Sequence, residues 1–408
     1  MRELDVTFVR SQFPAFSVAE LNGMSFFDNA GGSYPAGSVV TRLNRFYTSR
    51  KVQPYAKYPA SDIGGKEMDE SRQRLSHFLN IPPDTLHFGP STSQNTYVLA
   101  QAFRMLSTKR KVIIVTNQDH EANTGSWRRL EAEGFVIREW KVDPDTGSLR
   151  REDLENLLDK NVLLVTFPHC SNILGEVNPV KDICKLVQKA GAFSCVDGVS
   201  YTPHGFSNLG SLSADIYLFS TYKTYGPHLG LMYISEELNR LLPSQGHYFN
   251  ESFSTKRFTP AGPDHAQIAA ISGIVDYFEA LYQNQFCKNY ELTEIAEPLS
   301  QLQRSHEKKL LSKLLNFLDQ RNDIRILGPN DPERRVPTVS LDINNRSKEV
   351  ALGLAKDGIM ADFGDFYAVR LLDALGVDLN YGVLRLSFVH YTNEQDIDKL
   401  IRSLDKNL

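Results

Sequence analysis

The stretch CVDGVSYTPHGFSNLGSLSADIYLFSTYKTYGPHLG, residues 195–230, decides the fold of this 408-residue chain. It contains the ends of two apolar, strand-like runs. Residues 193–197 end in Asp197, and residues 215–220 end in Ser220, which is followed by Thr221, Tyr222 and Lys223. In open α/β sheets, ligands bind at the carboxyl ends of the strands. We therefore expect Asp197 and Lys223 to face one site at the same edge of a sheet.

An aspartate and a lysine at this edge have a specific chemical use. A lysine at the rim of a hydrophobic core loses part of its hydration, and the resulting neutral amine forms Schiff bases with carbonyl compounds. A nearby carboxylate can pair with the protonated ring nitrogen of pyridoxal 5'-phosphate (PLP), which makes that cofactor an electron sink. The pair Asp197 and Lys223 therefore predicts a PLP enzyme.

Earlier strand ends carry polar residues that singly have ordinary explanations. One strand runs into Thr92 and Ser93 at the start of a helix, which predicts either a phosphate cup or a simple N-terminal cap. His120 and Asn172 each come just after a buried apolar strand. Because strands and helices alternate, the sequence predicts a mostly parallel sheet with its site along one edge.

The order of the elements predicts two α/β domains of unequal size. Residues 21–290 carry the long alternating pattern of a large cofactor-binding domain, and residues 291–408 carry a smaller α/β pattern. The leading segment 1–20 is expected to pack with the small domain. We also expect one long helix to be interrupted at Pro298. A Pro/Tyr-rich loop over residues 52–63 is expected to influence specificity.

Composition and charge argue against several classes of protein. The chain is 41% hydrophobic and 23% charged, its formal net charge is −4, and its basic runs are short, so nucleic acid is not an expected partner. The four cysteines have neither metal-ligand spacing nor the density of a disulfide scaffold, which favours a reduced, cytoplasmic location. The apolar runs are far shorter than a membrane span, and the first residues are not expected to form a signal peptide.

Taken in order, these stretches resemble the cysteine desulfurase-like group of class V aminotransferases, a branch of the fold-type I PLP enzymes. The resemblance rests on residues 27–31, 88–96, 119–123, 170–175, 197–198 and 220–223. It extends over nearly the whole chain. It implies a large domain with a mostly parallel seven-stranded sheet, a smaller C-terminal α/β domain, and PLP as the cofactor. It also implies a homodimer with active sites at the subunit interface.

The resemblance implies a role for each candidate residue. Lys223 would hold PLP and carry a proton at the substrate Cα, and His120 would be the second catalytic residue, stacked on the ring. Asp197 would pair with the ring nitrogen, and Asn172 would hydrogen-bond the phenolic oxygen. The full set of cofactor-binding residues is Thr92, Ser93, His120, Asn172, Asp197, Ser200, Ser220, Tyr222 and Lys223. The substrate would contact Arg385, Asn29 and Tyr367, and Arg385 would bind its carboxylate.

Departures from the family pattern narrow the range of reactions that we expect. Tyr367 stands where the family carries a nucleophilic cysteine, and no cysteine lies beyond Cys287. Pro263 replaces a threonine that in the family reaches the partner subunit's phosphate, so that contact is in doubt. Ser200 stands where many relatives carry a glutamine. Desulfuration through a protein persulfide is therefore not expected.

The function expected from the sequence is a PLP enzyme that acts at the Cα of a small amino acid. Amino transfer and β-elimination are favoured, with no choice between them, and Cα epimerisation or another lyase reaction is the alternative. A non-catalytic binding or regulatory protein on the same fold is the alternative from another class. The presence of both Lys223 and Asp197 argues against it.

Overall fold

Strands and helices alternate through residues 2–408, the part of the chain that this computed structural model describes. The strands are β1 Ser25–Phe26, β2 Leu86–Gly89, β3 Val112–Thr116, β4 Val136–Trp140, β5 Val162–Pro168, β6 Phe193–Asp197, β7 Ile216–Ser220, β8 Gly230–Ile234, β9 Arg325–Leu327, β10 Thr338–Asp342, β11 Ile359–Met360, β12 Asp362–Gly364 and β13 Val383–Ser387. The helices are α1 Val6–Ser11, α2 Gly37–Ser49, α3 Pro59–Phe78, α4 Thr92–Met105, α5 Glu121–Arg128, α6 Arg151–Leu157, α7 Val180–Lys189, α8 Glu236–Leu241, α9 His265–Ala270, α10 Ser272–Phe286, α11 Leu292–Leu318, α12 Ser347–Lys356, α13 Val369–Ala374 and α14 Glu394–Asn407. Within residues 2–408, no helix has the length and apolarity needed to cross a bilayer.

The larger sheet has seven strands in the order β2-β8-β7-β6-β5-β3-β4. Its strands are parallel except for β8, which pairs antiparallel with both β2 and β7. Strands β3 and β5 are predominantly apolar and are buried along their whole length, as in parallel sheets that helices cover on both faces. The expected mostly parallel seven-stranded sheet is confirmed.

A second sheet of four antiparallel strands, in the order β12-β13-β10-β9, forms the smaller α/β unit. It packs with α12, α14 and the second half of α11 around a hydrophobic core of its own. Phe27 belongs to this core, and β1 pairs in parallel with β11. The smaller unit therefore includes residues from near the N terminus as well as the C-terminal part of the chain.

Helix α11 runs without interruption from Leu292 to Leu318, so the expected break at Pro298 is wrong. A proline inside a helix costs roughly 3 kcal/mol, because it removes a hydrogen bond and clashes with the preceding turn. Burial of a leucine side chain contributes about 2 kcal/mol. Residues Ile295 and Leu299 lie in the core under the large sheet, and several leucines from Leu310 onward lie in the small core. Packing on both sides of the proline therefore outweighs its cost.

Helix α3 begins at Pro59, so the loop expected over residues 52–63 is shorter and ends at Tyr58. Proline is favoured in the first turn of a helix, where its missing N–H costs nothing. In the loop, Tyr55 adopts a left-handed φ of 69° and its hydroxyl donates to Asp69 at 3.0 Å. Its ring packs so closely on Gly65 that an added Cβ there would lie 2.6 Å from a ring atom. The loop thus folds back onto α3.

The N-terminal segment packs into the core of the large sheet and pairs with α14 of the smaller unit. Val9 and Phe13 are buried in the core of the large sheet, where the Phe13 ring lies 5.1 Å from that of Tyr277. Arg10 donates to the Asp396 carboxylate of α14 at 2.8 Å. Residue 1 of the expected segment 1–20 lies outside the described residues. The division into residues 1–20, 21–290 and 291–408 stays a prediction.

Candidate active site

A cavity of about 450 Å³ opens at the carboxyl edge of the large sheet. Open α/β sheets bind ligands at this edge, and the volume is typical of small-molecule sites. The predicted residues that line the cavity are Thr92, Ser93, His120, Asp197, Ser200, Ser220, Tyr222, Lys223 and Tyr367. The three remaining predicted residues are buried and do not line it: Asn29, Asn172 and Arg385.

Lys223 follows β7 and is buried in the wall of the cavity. The Ser33 hydroxyl donates to the Lys223 carbonyl at 2.8 Å, which holds the backbone in place. The pKa of the Lys223 amine is lowered to about 8, first by burial and then by the positive charge of Arg385. Asp197 and Asp28 act in the opposite direction. A substantial fraction of the amine is therefore neutral near pH 7, and a neutral amine can attack a carbonyl.

Asp197 is the last residue of β6 and is also buried. The backbone N–H of Val199 donates to its Oδ1 at 2.9 Å. Burial raises the pKa of this carboxyl to about 6, although the hydrogen bond from Val199 and the charge of Lys223 lower it. A cationic ligand group placed beside Asp197 would stabilise the ionised carboxylate.

Hydroxyl groups and backbone N–H groups converge at the start of α4. Ser91 caps this helix by accepting from the N–H of Gln94 at 3.1 Å, and the Thr92 and Ser220 hydroxyls are 2.8 Å apart. Strand β8 begins at Gly230, where an added Cβ would lie 2.3 Å from the backbone carbon of Ser91. Only glycine allows β8 to approach the helix start this closely. The resulting cradle suits an anion, because the first N–H groups of a helix have no partner within the helix.

His120 and Tyr367 line the cavity next to each other. The Nδ1 atom of His120 accepts from the N–H of Ala122 at 3.0 Å, so its other ring nitrogen carries the proton. Burial, followed by the charges of Lys223 and Arg385, lowers the pKa of His120 to about 3, and the ring is neutral. The Tyr367 ring lies 5.2 Å from it, tilted by 37°, and is 70% exposed.

Arg385 lies on β13 behind the cavity and is already partnered. Its guanidinium is 3.2 Å from the Asp28 carboxylate and 3.4 Å from the carbonyl of Asn172. The Phe366 ring covers it, with its centroid 3.7 Å from the guanidinium carbon. Residues Phe366 and Tyr367 both have left-handed φ values, 50° and 59°. Carboxylate binding by Arg385 would require the Phe366 turn to move, and it stays a prediction.

The two predicted asparagines are bonded to residues of the C-terminal part of the chain. The side-chain amide of Asn29 donates to the carbonyl of Ser387 at 3.2 Å, and its oxygen accepts from the hydroxyl of Tyr391. The side-chain amide of Asn172 donates to the carbonyl of Phe366 at 3.0 Å. The Asn172 side-chain oxygen is buried and has no partner among residues 2–408.

The profile of the aminotransferase class-V family matches residues 25–400. The chain belongs to the class V aminotransferase family. It is 32% identical to an aminotransferase-like protein of Gibberella zeae, over 97% of both chains. It is 27% identical to a cysteine desulfurase-like protein of Aspergillus flavus, over 99% of this chain and 90% of that one. The solved structure of a cysteine desulfurase from Thermococcus onnurineus has the same fold, with a TM-score of 0.85, 21% identity, and coverage of 100% of this chain and 98% of that chain.

Membership of the class V family makes this chain a PLP-dependent enzyme, and its cavity fits that cofactor. A buried lysine with a lowered pKa suits an aldehyde, and a buried carboxylate suits a ring cation. The cradle at Gly230 suits a phosphate. The expected fold-type I architecture and cysteine desulfurase-like resemblance are confirmed by the same comparisons.

Some cavity residues were missed by the sequence reasoning. Tyr97 and His228 line the cavity, and Asp28 pairs with Arg385. Tyr97 lies one helical turn after Thr92–Ser93, and His228 lies five residues after Lys223, so both spacings pointed to this edge. The Asp28–Arg385 pair gave no local signal, because 357 residues separate its members.

Proposed function

We propose that this class V enzyme catalyses amino transfer or β-elimination on a small α-amino acid, without a protein persulfide. The observation that carries the proposal is the composition of the cavity. A buried lysine and a buried aspartate line it, and no cysteine among residues 2–408 does. The position expected for a nucleophilic thiol holds Tyr367, which cannot accept sulfur from a substrate.

Three residues of the cavity are assigned to the reactive part of the cofactor: Lys223, Asp197 and His120. When bound, PLP supplies an electron sink for the electron pair of a bond broken at the substrate Cα. Lys223 holds the cofactor and moves the proton at Cα, because an amine with a pKa of about 8 can both accept and return a proton near neutral pH. Asp197 pairs with the ring nitrogen, and the neutral His120 stacks on the ring.

Other predicted residues are assigned to the phosphate, the phenolic oxygen and the substrate carboxylate. Thr92, Ser93 and Ser220 bind the phosphate together with the N–H groups at the start of α4, and Tyr222 lies beside them. Asn172 and Ser200 are assigned to the phenolic oxygen. Arg385 is assigned to the substrate carboxylate, once Phe366 moves off its guanidinium, because a guanidinium fork matches a carboxylate.

The cysteines of this chain support a route without a persulfide. Cys170, Cys184 and Cys195 are buried, and burial raises the pKa of each thiol, to about 12 for Cys184. The thiolate is the nucleophile, so such cysteines react poorly. Cys287 is exposed but caps the end of α10 and does not line the cavity.

Cα epimerisation is the alternative reaction, and the neutral state of His120 makes it less favoured. A two-base epimerase needs a second group that delivers a proton to the face opposite the lysine. Because the pKa of His120 is lowered to about 3, its ring has no proton to donate beyond that of a neutral imidazole.

The proposed enzyme is a cytoplasmic homodimer with its active sites at the subunit interface. Exposed aromatic side chains support an interface, since Tyr248, Phe249 and Phe253, between α8 and α9, are 88%, 63% and 54% exposed. The free cysteines support a reducing compartment. Sedimentation equilibrium measures the association, and a monomer at micromolar concentration would contradict it.

A panel of amino acids tests the proposed reaction. Purified enzyme loaded with PLP is mixed with each amino acid, and the visible absorbance is followed while keto acid, ammonia and sulfide are assayed in the same wells. Keto acid with cofactor converted to its amine form indicates amino transfer, and keto acid with ammonia or a released β-substituent indicates elimination. Loss of the Cα proton with no such product, or no response to any amino acid, contradicts the proposal.

A further inference from the structure

A stacked pair of aromatic rings lies at the cradle end of the cavity. The rings of Tyr222 and His228 are nearly parallel, at an angle of 10°, with their centroids 4.7 Å apart. His228 is exposed and lines the same cavity as Ser91 and Thr92. It also lies two residues before Gly230, whose missing Cβ allows contact with the start of α4.

The turn that carries His228 is held by hydrogen bonds on both sides. The N–H of Leu229 donates to the carbonyl of Pro227 at 2.9 Å, and the N–H of Thr221 donates to the carbonyl of Leu229 at 2.9 Å. The hydroxyl of Thr221 also donates to the carbonyl of Pro227. The backbone of His228 is therefore fixed, and the stack on Tyr222 orients its ring.

The charge balance of the cavity makes His228 distinctive. Among the residues of 2–408 that line the cavity, the basic ones are Lys223, His120 and His228. Lys223 is assigned to the aldehyde of PLP. His120 is neutral, since its pKa is lowered to about 3. A phosphate carries about two negative charges near neutral pH and binds most strongly to charge-assisted donors.

We propose that His228 binds the phosphate of PLP, with Tyr222 as the platform that orients its ring. This assignment rests on the proposed function, because it concerns the same cofactor site. An imidazole N–H at this position adds a further donor beside the hydroxyls of Thr92 and Ser220.

Two variants and two ligands test the assignment on the full-length protein freed of cofactor. His228→Phe keeps a ring that can stack on Tyr222 but removes the nitrogen donor. His228→Gln keeps an N–H donor without the ring. Each protein is titrated with PLP and with pyridoxal, which lacks the phosphate, and binding is followed by visible absorbance and fluorescence. We expect the PLP affinity of His228→Phe to fall by roughly tenfold or more, with unchanged affinity for pyridoxal. His228→Gln should bind PLP more tightly than His228→Phe does.

Other outcomes overturn the assignment. Unchanged PLP affinity in His228→Phe would mean that His228 does not meet the phosphate. Equal losses of PLP and pyridoxal affinity in that variant would mean the same. A thermal melt of each variant without ligand controls for folding, and the exposed position of His228 predicts unchanged melting. Failure of the original protein to bind PLP would instead contradict the proposed function and is a separate result.

Discussion

The reactivity of Lys223 gives a quantitative test of the cavity. Its amine has a pKa of about 8 rather than the ordinary 10.5. At pH 7, roughly 10% of such an amine is neutral, against about 0.03% of an ordinary lysine, so about 300 times more neutral amine is available to attack a carbonyl. Because the neutral form reacts, the rate should rise with pH and level off above pH 8.

Two substitutions should move this midpoint in opposite directions. Asp197 raises the pKa of Lys223, so Asp197→Asn should move the midpoint below 8. Arg385 lowers that pKa, so Arg385→Gln should move it above 8. A charge change beside a buried group shifts its pKa by about one unit. At pH 7 a fall from about 8 to about 7 raises the neutral fraction about fivefold, and a rise from about 8 to about 9 lowers it about ninefold. Opposite shifts are expected only if both side chains face the Lys223 amine as the structure has them.

Reductive methylation of the cofactor-free protein measures the midpoint. Formaldehyde and cyanoborohydride are applied between pH 6 and 10, and modification of Lys223 is followed by peptide mass spectrometry. Lys66, whose side chain is 73% exposed, corrects for reagent activity in the same digest. A Lys223 midpoint near 10, or shifts of the same sign in both variants, would refute the electrostatic account of the cavity.

Three further predictions concern the cradle, the substrate and sulfur. Gly230→Ala should weaken PLP binding at least about tenfold in an absorbance titration, because the added Cβ would lie 2.3 Å from the Ser91 backbone. The control is Gly134→Ala, where no atom lies within 4 Å of the added Cβ, and its PLP affinity should be unchanged. Arg385→Ala should raise KM for an amino acid substrate about a hundredfold, since the variant loses the contact to the substrate carboxylate. KM for the corresponding amino acid amide and the affinity for PLP should change far less. Equal losses in these three quantities would refute the role of Arg385. Cysteine with a reductant should release little sulfide by a persulfide route; efficient release that Cys287→Ala abolishes would show that the nucleophile was misplaced.

Much of the architecture followed from local pattern. The apolar runs of β3 and β5 indicated strands buried on both faces, and such strands occur in parallel sheets between helices. Parallel strands bring their carboxyl ends to one edge. This geometric rule explains why Thr92, His120, Asp197 and Lys223 line one cavity although 131 residues separate the first from the last.

The sequence by itself determined that Thr92, His120, Asp197 and Lys223 reach the site edge, because strand direction and the position of each strand end suffice for these residues. Only the tertiary structure decided what each side chain contacts there. Asp28 pairs with Arg385, which is distant in sequence, and the Phe366 ring covers the Arg385 guanidinium. Phe366 has a left-handed φ, because packing between distant segments selects this conformation against the local preference of the backbone. The same holds for α11, which continues through Pro298 since two cores bury its ends. Local rules describe a few neighbouring residues, and these contacts depend on the whole fold.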